Sequence, residues 1–193
     1  MGRVVRVGDA AGAAVAAGTA DCQLGDHVFI PGSHSFQGVR NIFGGAGSRL
    51  IVQHDRDVKV QPELGPKAVL LALAAICHHT VSLGGKRQPM LAPELIVGHG
   101  VMGRLLARIT LALGMPAPTV WETQPARLAG AVGYAVVHPD EDSRKDYRAI
   151  CDVSGDGTLL NGLIGRLAPV HQGALSLDGL ITHTLTPAKA RGA

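Results

Sequence analysis

Three glycines stand in the order Gly98-His99-Gly100-Val101-Met102-Gly103, and Glu122 follows further along the chain. This G-x-G-x-x-G spacing has a chemical use. The first glycine permits a tight turn off a strand, and the second lets the backbone approach a pyrophosphate with no Cβ in the way. The third lets the next helix pack closely on the sheet. A helix starting there offers unpaired N–H groups and a positive dipole end to phosphate oxygens. An acidic residue about 20 residues on accepts hydrogen bonds from ribose hydroxyls. A carboxylate at Glu122 would repel a 2′-phosphate, which favours NAD over NADP, while Arg127 nearby tempers that preference.

A lone G-x-G-x-x-G carries little weight in a chain with 26 glycines. Here the flanking elements fit. Leu95-Ile96-Val97 reads as a short apolar strand, and residues 101–113 read as a helix stopped by Gly114. Thr119-Val120-Trp121-Glu122 reads as the second strand. Residues 125–131 read as a short helix with Pro125 in its first turn. Further strands are expected over 134–137 and 149–153, and a helix over 158–167. The alternation predicts an α/β fold, a Rossmann-like parallel sheet. That sheet is expected to be incomplete, because about two more strands would be needed after Leu167. Ser154 follows the fourth strand, where ligands lie across strand ends, so it is a further candidate for the cofactor. His99, between two motif glycines, is a weaker one and is expected as an exposed loop side chain.

The first part of the chain reads differently. Strands are expected at 2–7, at 27–30 after a Gly25-Asp26 turn, at 48–53 and at 57–60. A helical period over 66–79 links this β-rich part to the strand–helix alternation that begins near Glu94. The expected organisation is 1–93, a partial β-rich catalytic domain with its linking helix; 94–170, the dinucleotide domain; and 171–193, a C-terminal return segment.

Composition narrows the classes. Hydrophobic residues are 46% of 193, enough for a core, and charged residues are 17%, too few for a disordered chain. A formal charge of +3 with 3% aromatics argues against a nucleic-acid surface. Three cysteines, Cys22, Cys77 and Cys151, lack any C-x-x-C and fit a reduced, cytoplasmic protein. The apolar run 68–77 is too short to span a membrane. His78-His79 is not read as a metal site, since adjacent helical residues point about 100° apart. The acidic cluster from Asp140 to Asp146 is read as a solvated loop. None of His27, His34 and His54 has a spacing that marks it as a proton relay.

Longer stretches carry a resemblance. Gly2-x-x-Val5-x-x-Gly8 and Gly25-Asp26-His27-Val28 are similar to the strand and turn of the medium-chain, zinc-type alcohol dehydrogenase superfamily. ELIVGHGVMGRLLARITLALG (94–114), VWETQPAR (120–127), GAVGYAVVHP (130–139), DYRAICDVSG (146–155) and GALSLDGLITH (173–183) resemble its bacteriochlorophyll-biosynthesis branch. The resemblance implies a GroES-like catalytic domain ahead of the dinucleotide domain. It implies NAD-linked oxidation of a 3-(1-hydroxyethyl) group to 3-acetyl on a bacteriochlorophyllide-type tetrapyrrole. Against the family pattern the chain reads as truncated at its N-terminus and deleted after Arg166-Leu167-Ala168. The segment that carries a Cys and a His of the relatives' metal site is thereby lost, so no catalytic residue and no metal ligand is assigned. An open sheet edge would favour self-association. Two other readings stand beside this one. The chain would be an inactive NAD-binding remnant, or an S-adenosylmethionine-dependent methyltransferase, which also uses a Gly-rich turn and a later acidic residue.

Overall fold

The computed structural model describes residues 2–9, 12–13, 22–30, 47–52, 57–85 and 92–168. The expected segment 171–193, with His34 and His54, lies outside them. The chain forms two compact units, Met1–Ala75 and Ile76–Ala193.

The first unit holds a small antiparallel sheet of β1 (Gly2–Arg3), β2 (His27–Phe29) and β3 (Val58–Lys59), in that order. The strands are shorter than expected. Beyond Arg3, pairing continues only as Val4 N–H to the Asp26 carbonyl at 2.9 Å and Gly25 N–H to the Val4 carbonyl at 2.8 Å. Of the strand expected over 48–53, the described residues 48–52 form no strand; 47–49 are a bend. Val28 is the buried side chain of β2.

A 3-10 turn over Pro62–Leu70, kinked at Gly65, runs into α1 (Leu71–Gly85). Sequence period alone places only 66–79 here. The helical stretch Pro62–Ser82, of 21 residues, is long and apolar enough by length and composition to cross a membrane, and is longer than the apolar run 68–77 read from the sequence. The division between the units falls within α1, and Cys77 and Val81 pack into the core of the second unit. The expected boundary near residue 93 instead places the whole helix with the first part.

In the second unit four parallel strands take the order β6-β5-β4-β7: β6 (Ala135–Val137), β5 (Thr119–Trp121), β4 (Leu95–Val97) and β7 (Ile150–Asp152). Chain order reverses direction at β4, as in doubly wound α/β sheets. The two sides of the strands explain the apolar runs. Ile96 and Val120 face Leu106 and Ala107 of α2 (Val101–Ala112), with Cys77 and Val81 alongside. Leu95, Val97 and Trp121 face Tyr147 and Leu163, the latter from α4 (Leu160–Ile164). A sheet covered on both faces gives near-continuous apolar strands. A short α3 (Pro125–Leu128) follows β5. After α4 the chain makes a parallel bridge, Leu167 to Tyr147, a first step of further pairing that the sequence reading did not foresee.

The acidic loop before β7 is structural rather than merely solvated. Asp142 accepts the Trp121 indole N–H at 2.6 Å, the Tyr147 hydroxyl, and the Arg144 N–H at 2.9 Å. Burial pushes its carboxyl pKa up, but these donors and the Arg166 charge outweigh burial and hold it below the usual range. Glu94, just before β4, binds Arg144 at 2.7 Å and Arg148 at 2.6 Å. The Arg166 guanidinium lies 4.6 Å over the Trp121 ring. Asp142→Ala leaves the Tyr147 hydroxyl and the indole N–H without their acceptor. It should destabilise the unit by about 2 kcal/mol, read as a lower urea midpoint followed by Trp121 fluorescence.

Candidate functional site

The turn leaving β4 sits where three backbones converge. Gly98 has φ +100°, a left-handed conformation that favours glycine. A Cβ there would meet Ser154 Cα at 3.1 Å, so the turns after β4 and β7 touch. A Cβ at Gly103 would overlap the Gly98 carbonyl oxygen. Gly103 is thus what lets α2 start directly against the strand end. A Cβ at Gly100 would meet nothing within 4 Å. Gly100 is also the N-cap of α2, and no side chain caps that end. The start of α2 therefore has no side-chain cap and has room beside Gly100, as a bound phosphate group requires.

Glu122 follows β5 and lies beside the turn, with 6% of its surface exposed. Its Oε2 accepts the His99 N–H at 3.0 Å, and its Oε1 accepts the Thr123 and Gln124 N–H groups, each at 2.9 Å. Burial pushes the carboxyl pKa up; the Gln124, His99 and Thr123 amides and the Arg127 charge bring it below the usual range. The sequence reading gives this carboxylate to ribose hydroxyls. In the structure it ties the turn to the loop after β5.

His99 corrects a second expectation. It is fully buried rather than exposed, and its ring is held within the fold. Nδ1 lies 2.6 Å from the Arg127 carbonyl and Nε2 lies 2.8 Å from the Tyr134 hydroxyl. A carbonyl only accepts, so Nδ1 is the donor; in a neutral ring Nε2 then accepts from Tyr134. The peptide of His99 belongs to the phosphate turn, whereas its side chain fastens that turn to α3 and to the approach to β6. Arg104 completes the link, donating to the His99 carbonyl at 3.1 Å and to the Arg127 carbonyl at 3.0 Å.

Ser154 lies against Gly98 as the sheet order requires. Its hydroxyl donates to Asp152 Oδ1 at 2.7 Å and accepts the Asp156 N–H at 3.1 Å. Tyr134 and Arg104 were missed from sequence. Tyr134 carries no local signal, being 35 residues from His99. Arg104 does, because a cation in the first turn of a helix opposes the dipole and so calls for an outside partner. Among the described residues, no group of three or more His, Cys, Asp or Glu side chains could hold a metal. Burial raises the thiol pKa of Cys77 and Cys151, and raises that of Cys22 to about 11. All three therefore stay protonated near neutrality.

The parallel sheet and the glycine turn at its reversal point define a doubly wound α/β protein. No family model matches the chain. It is 42% identical to the 2-desacetyl-2-hydroxyethyl bacteriochlorophyllide A dehydrogenase of Rhodobacter capsulatus, over 86% of this chain and 66% of the relative. It is 45% identical to the protein of the same name from Cereibacter sphaeroides, over 82% of this chain and 49% of the relative. By sequence, the chain is similar to these dehydrogenases, and it spans about half to two thirds of their length. The match to the Rhodobacter protein runs over 212 positions yet takes in 86% of a chain of 193 residues. That relative therefore carries a sizeable stretch, inside the matched region, that this chain lacks.

Two variants probe the turn. Gly103→Ala should lower and broaden thermal unfolding, because the Gly98 backbone must move away from the added Cβ. Glu122→Gln turns an amide N–H₂ toward backbone donors and should cost about 1–3 kcal/mol at pH 7. The lowered folded pKa means that Glu122 stabilises the fold above its unfolded value of about 4.3, and that this contribution is lost as pH falls through the folded value. The stability gap between wild type and Glu122→Gln should therefore shrink on acidification, as urea titrations at pH 7 and pH 3 would show.

Proposed function

We propose that the turn 98–103 binds a nicotinamide dinucleotide, NAD, in a Rossmann-type unit. We further propose that the chain serves the oxidation of the 3-(1-hydroxyethyl) side chain of a bacteriochlorophyllide to a 3-acetyl group. The observation that carries the binding half is the uncapped start of α2 facing open space at Gly100. The substrate half rests on the names of the relatives. We place the reaction in the cytoplasm, on the cysteine usage of the chain.

The oxidation removes a hydride from the carbinol carbon and a proton from its hydroxyl. When bound, the dinucleotide supplies the hydride acceptor. The first-turn amides of α2 hold its phosphates, Gly98 and Gly103 let backbone close around them, and Glu122 with His99 keeps the turn in place. Ser154, across the turn from Gly98, borders the same crevice. None of these groups is assigned the hydroxyl proton.

A second reading keeps the cofactor and drops the chemistry: an NAD-binding chain without turnover. The stretch that the Rhodobacter relative has and this chain lacks favours it. Purified protein with NAD and 3-(1-hydroxyethyl) bacteriochlorophyllide separates the two. NADH appearing together with the acetyl product supports the dehydrogenase. Calorimetric NAD binding without NADH supports the inactive binder. Absence of NAD binding sinks both, and tighter binding of S-adenosylmethionine would point to a methyltransferase.

A further inference from the structure

A helix that is apolar all round belongs inside a large core or in lipid. The helical stretch Pro62–Ser82 has that composition. Its charged residues, Glu63 and Lys67, stand near its start, and residues 68–82 hold no Asp, Glu, Lys or Arg. A core does not account for it, because only 17% of its most apolar window of 18 residues is buried. Ala68, Cys77 and Val81 are buried, whereas Val69 is 67% exposed and Ile76 54%. Ala72, between them, is exposed too. Ala72 and Ile76 lie one turn apart on α1, and Val69 stands one turn ahead of Ala72. The three form an exposed apolar stripe, and the exposed His79 marks its polar end.

Hydroxyls on this helix find partners within it. Thr80 Oγ1 donates to the Ile76 carbonyl at 3.0 Å, and Ser82 Oγ lies 3.4 Å from His78 Nδ1. Lipid demands this economy, since acyl chains offer no hydrogen-bond partner. Cys77 and Val81 pack into the core of the second unit, so lipid cannot surround α1 on all sides. We propose that the stretch Pro62–Ser82 lies in the interface of a lipid bilayer, with Val69, Ala72 and Ile76 entering the acyl boundary and the Cys77–Val81 side staying on protein. The attachment is to a membrane surface and not a span. Lys67, exposed ahead of the stripe, has a stem that can cover apolar surface while its ammonium stays among headgroups. This inference is independent of the dinucleotide reading.

Flotation of the full chain with vesicles tests it, since aggregates sink while vesicle-bound protein rises. Vesicles of phosphatidylcholine alone, and of phosphatidylcholine with phosphatidylglycerol in equal parts, are compared at low and high salt. The wild type should float with both and keep floating at high salt, because apolar insertion is not screened. The double variant Val69→Ser with Ile76→Ser should lose about tenfold or more in vesicle affinity. Both side chains are exposed, so its urea midpoint, followed by Trp121 fluorescence, should match that of the wild type. A wild type that floats with neither vesicle overturns the proposal. So does binding confined to the anionic vesicles and lost at high salt, which would assign it to charge. Equal flotation of the double variant overturns it as well. A lipid-free dimer that the double variant dissociates, with no flotation, would show that a second copy covers the stripe instead.

Discussion

Everything in the second unit turns on how closely backbone meets backbone at the end of β4. The Gly98 carbonyl occupies the space where Gly103 would carry a side chain, and the backbone of Ser154 presses on Gly98 from the other side. A strand end, a helix start and the turn after β7 thus share one small volume. Side chains at 98 or 103 would force them apart, and the helix would no longer begin at the strand. Because α2 covers one face of the sheet through Leu106 and Ala107, the same constraint sets the depth of the core.

Polar contacts then fix what packing does not. The α3 helix spans only Pro125–Leu128 and buries none of its side chains. So short a helix has little stability of its own. It is held through one carbonyl, that of Arg127, which takes both the His99 ring and Arg104. Glu122 works in the same direction, joining His99 N–H to the two amides that follow β5. In a chain with few aromatics, buried hydrogen bonds of this kind supply the specificity that large rings supply elsewhere.

Much of this was legible in the sequence. The strand Leu95–Val97, the helix from Val101 and the glycine pattern follow from local chemistry and period and lie as expected, and the strand expected over Thr119–Glu122 ends one residue earlier, at Trp121. What escaped was long-range. The partner of His99 is a tyrosine far along the chain, and no periodicity points to it. Asp142 sits in an acidic loop that reads as solvent-facing, yet it receives the indole of Trp121. Residues 47–52 carry β-branched and apolar side chains without forming a strand, because strand propensity counts only where a neighbouring strand is there to pair. Glu122 was found for its position, while its three amide donors were not foreseen: spacing marks where a carboxylate lies, and only geometry tells which backbone donors it meets.

The proposed cofactor site and the chemistry on a substrate make different demands on this chain. The groups around the turn come from residues 98 to 154, all within one sheet and its crossovers. Their contacts close on one another: Gly98 on Ser154, Glu122 on His99, His99 on Tyr134 and Arg127. Among the described residues, these contacts come from one unit. Substrate oxidation differs, since it needs a group that takes the hydroxyl proton, and the thiols within this fold are kept protonated by burial. A chain that spans only part of its relatives' length can keep such a local site for as long as the glycine turn and the carboxylate stay in register.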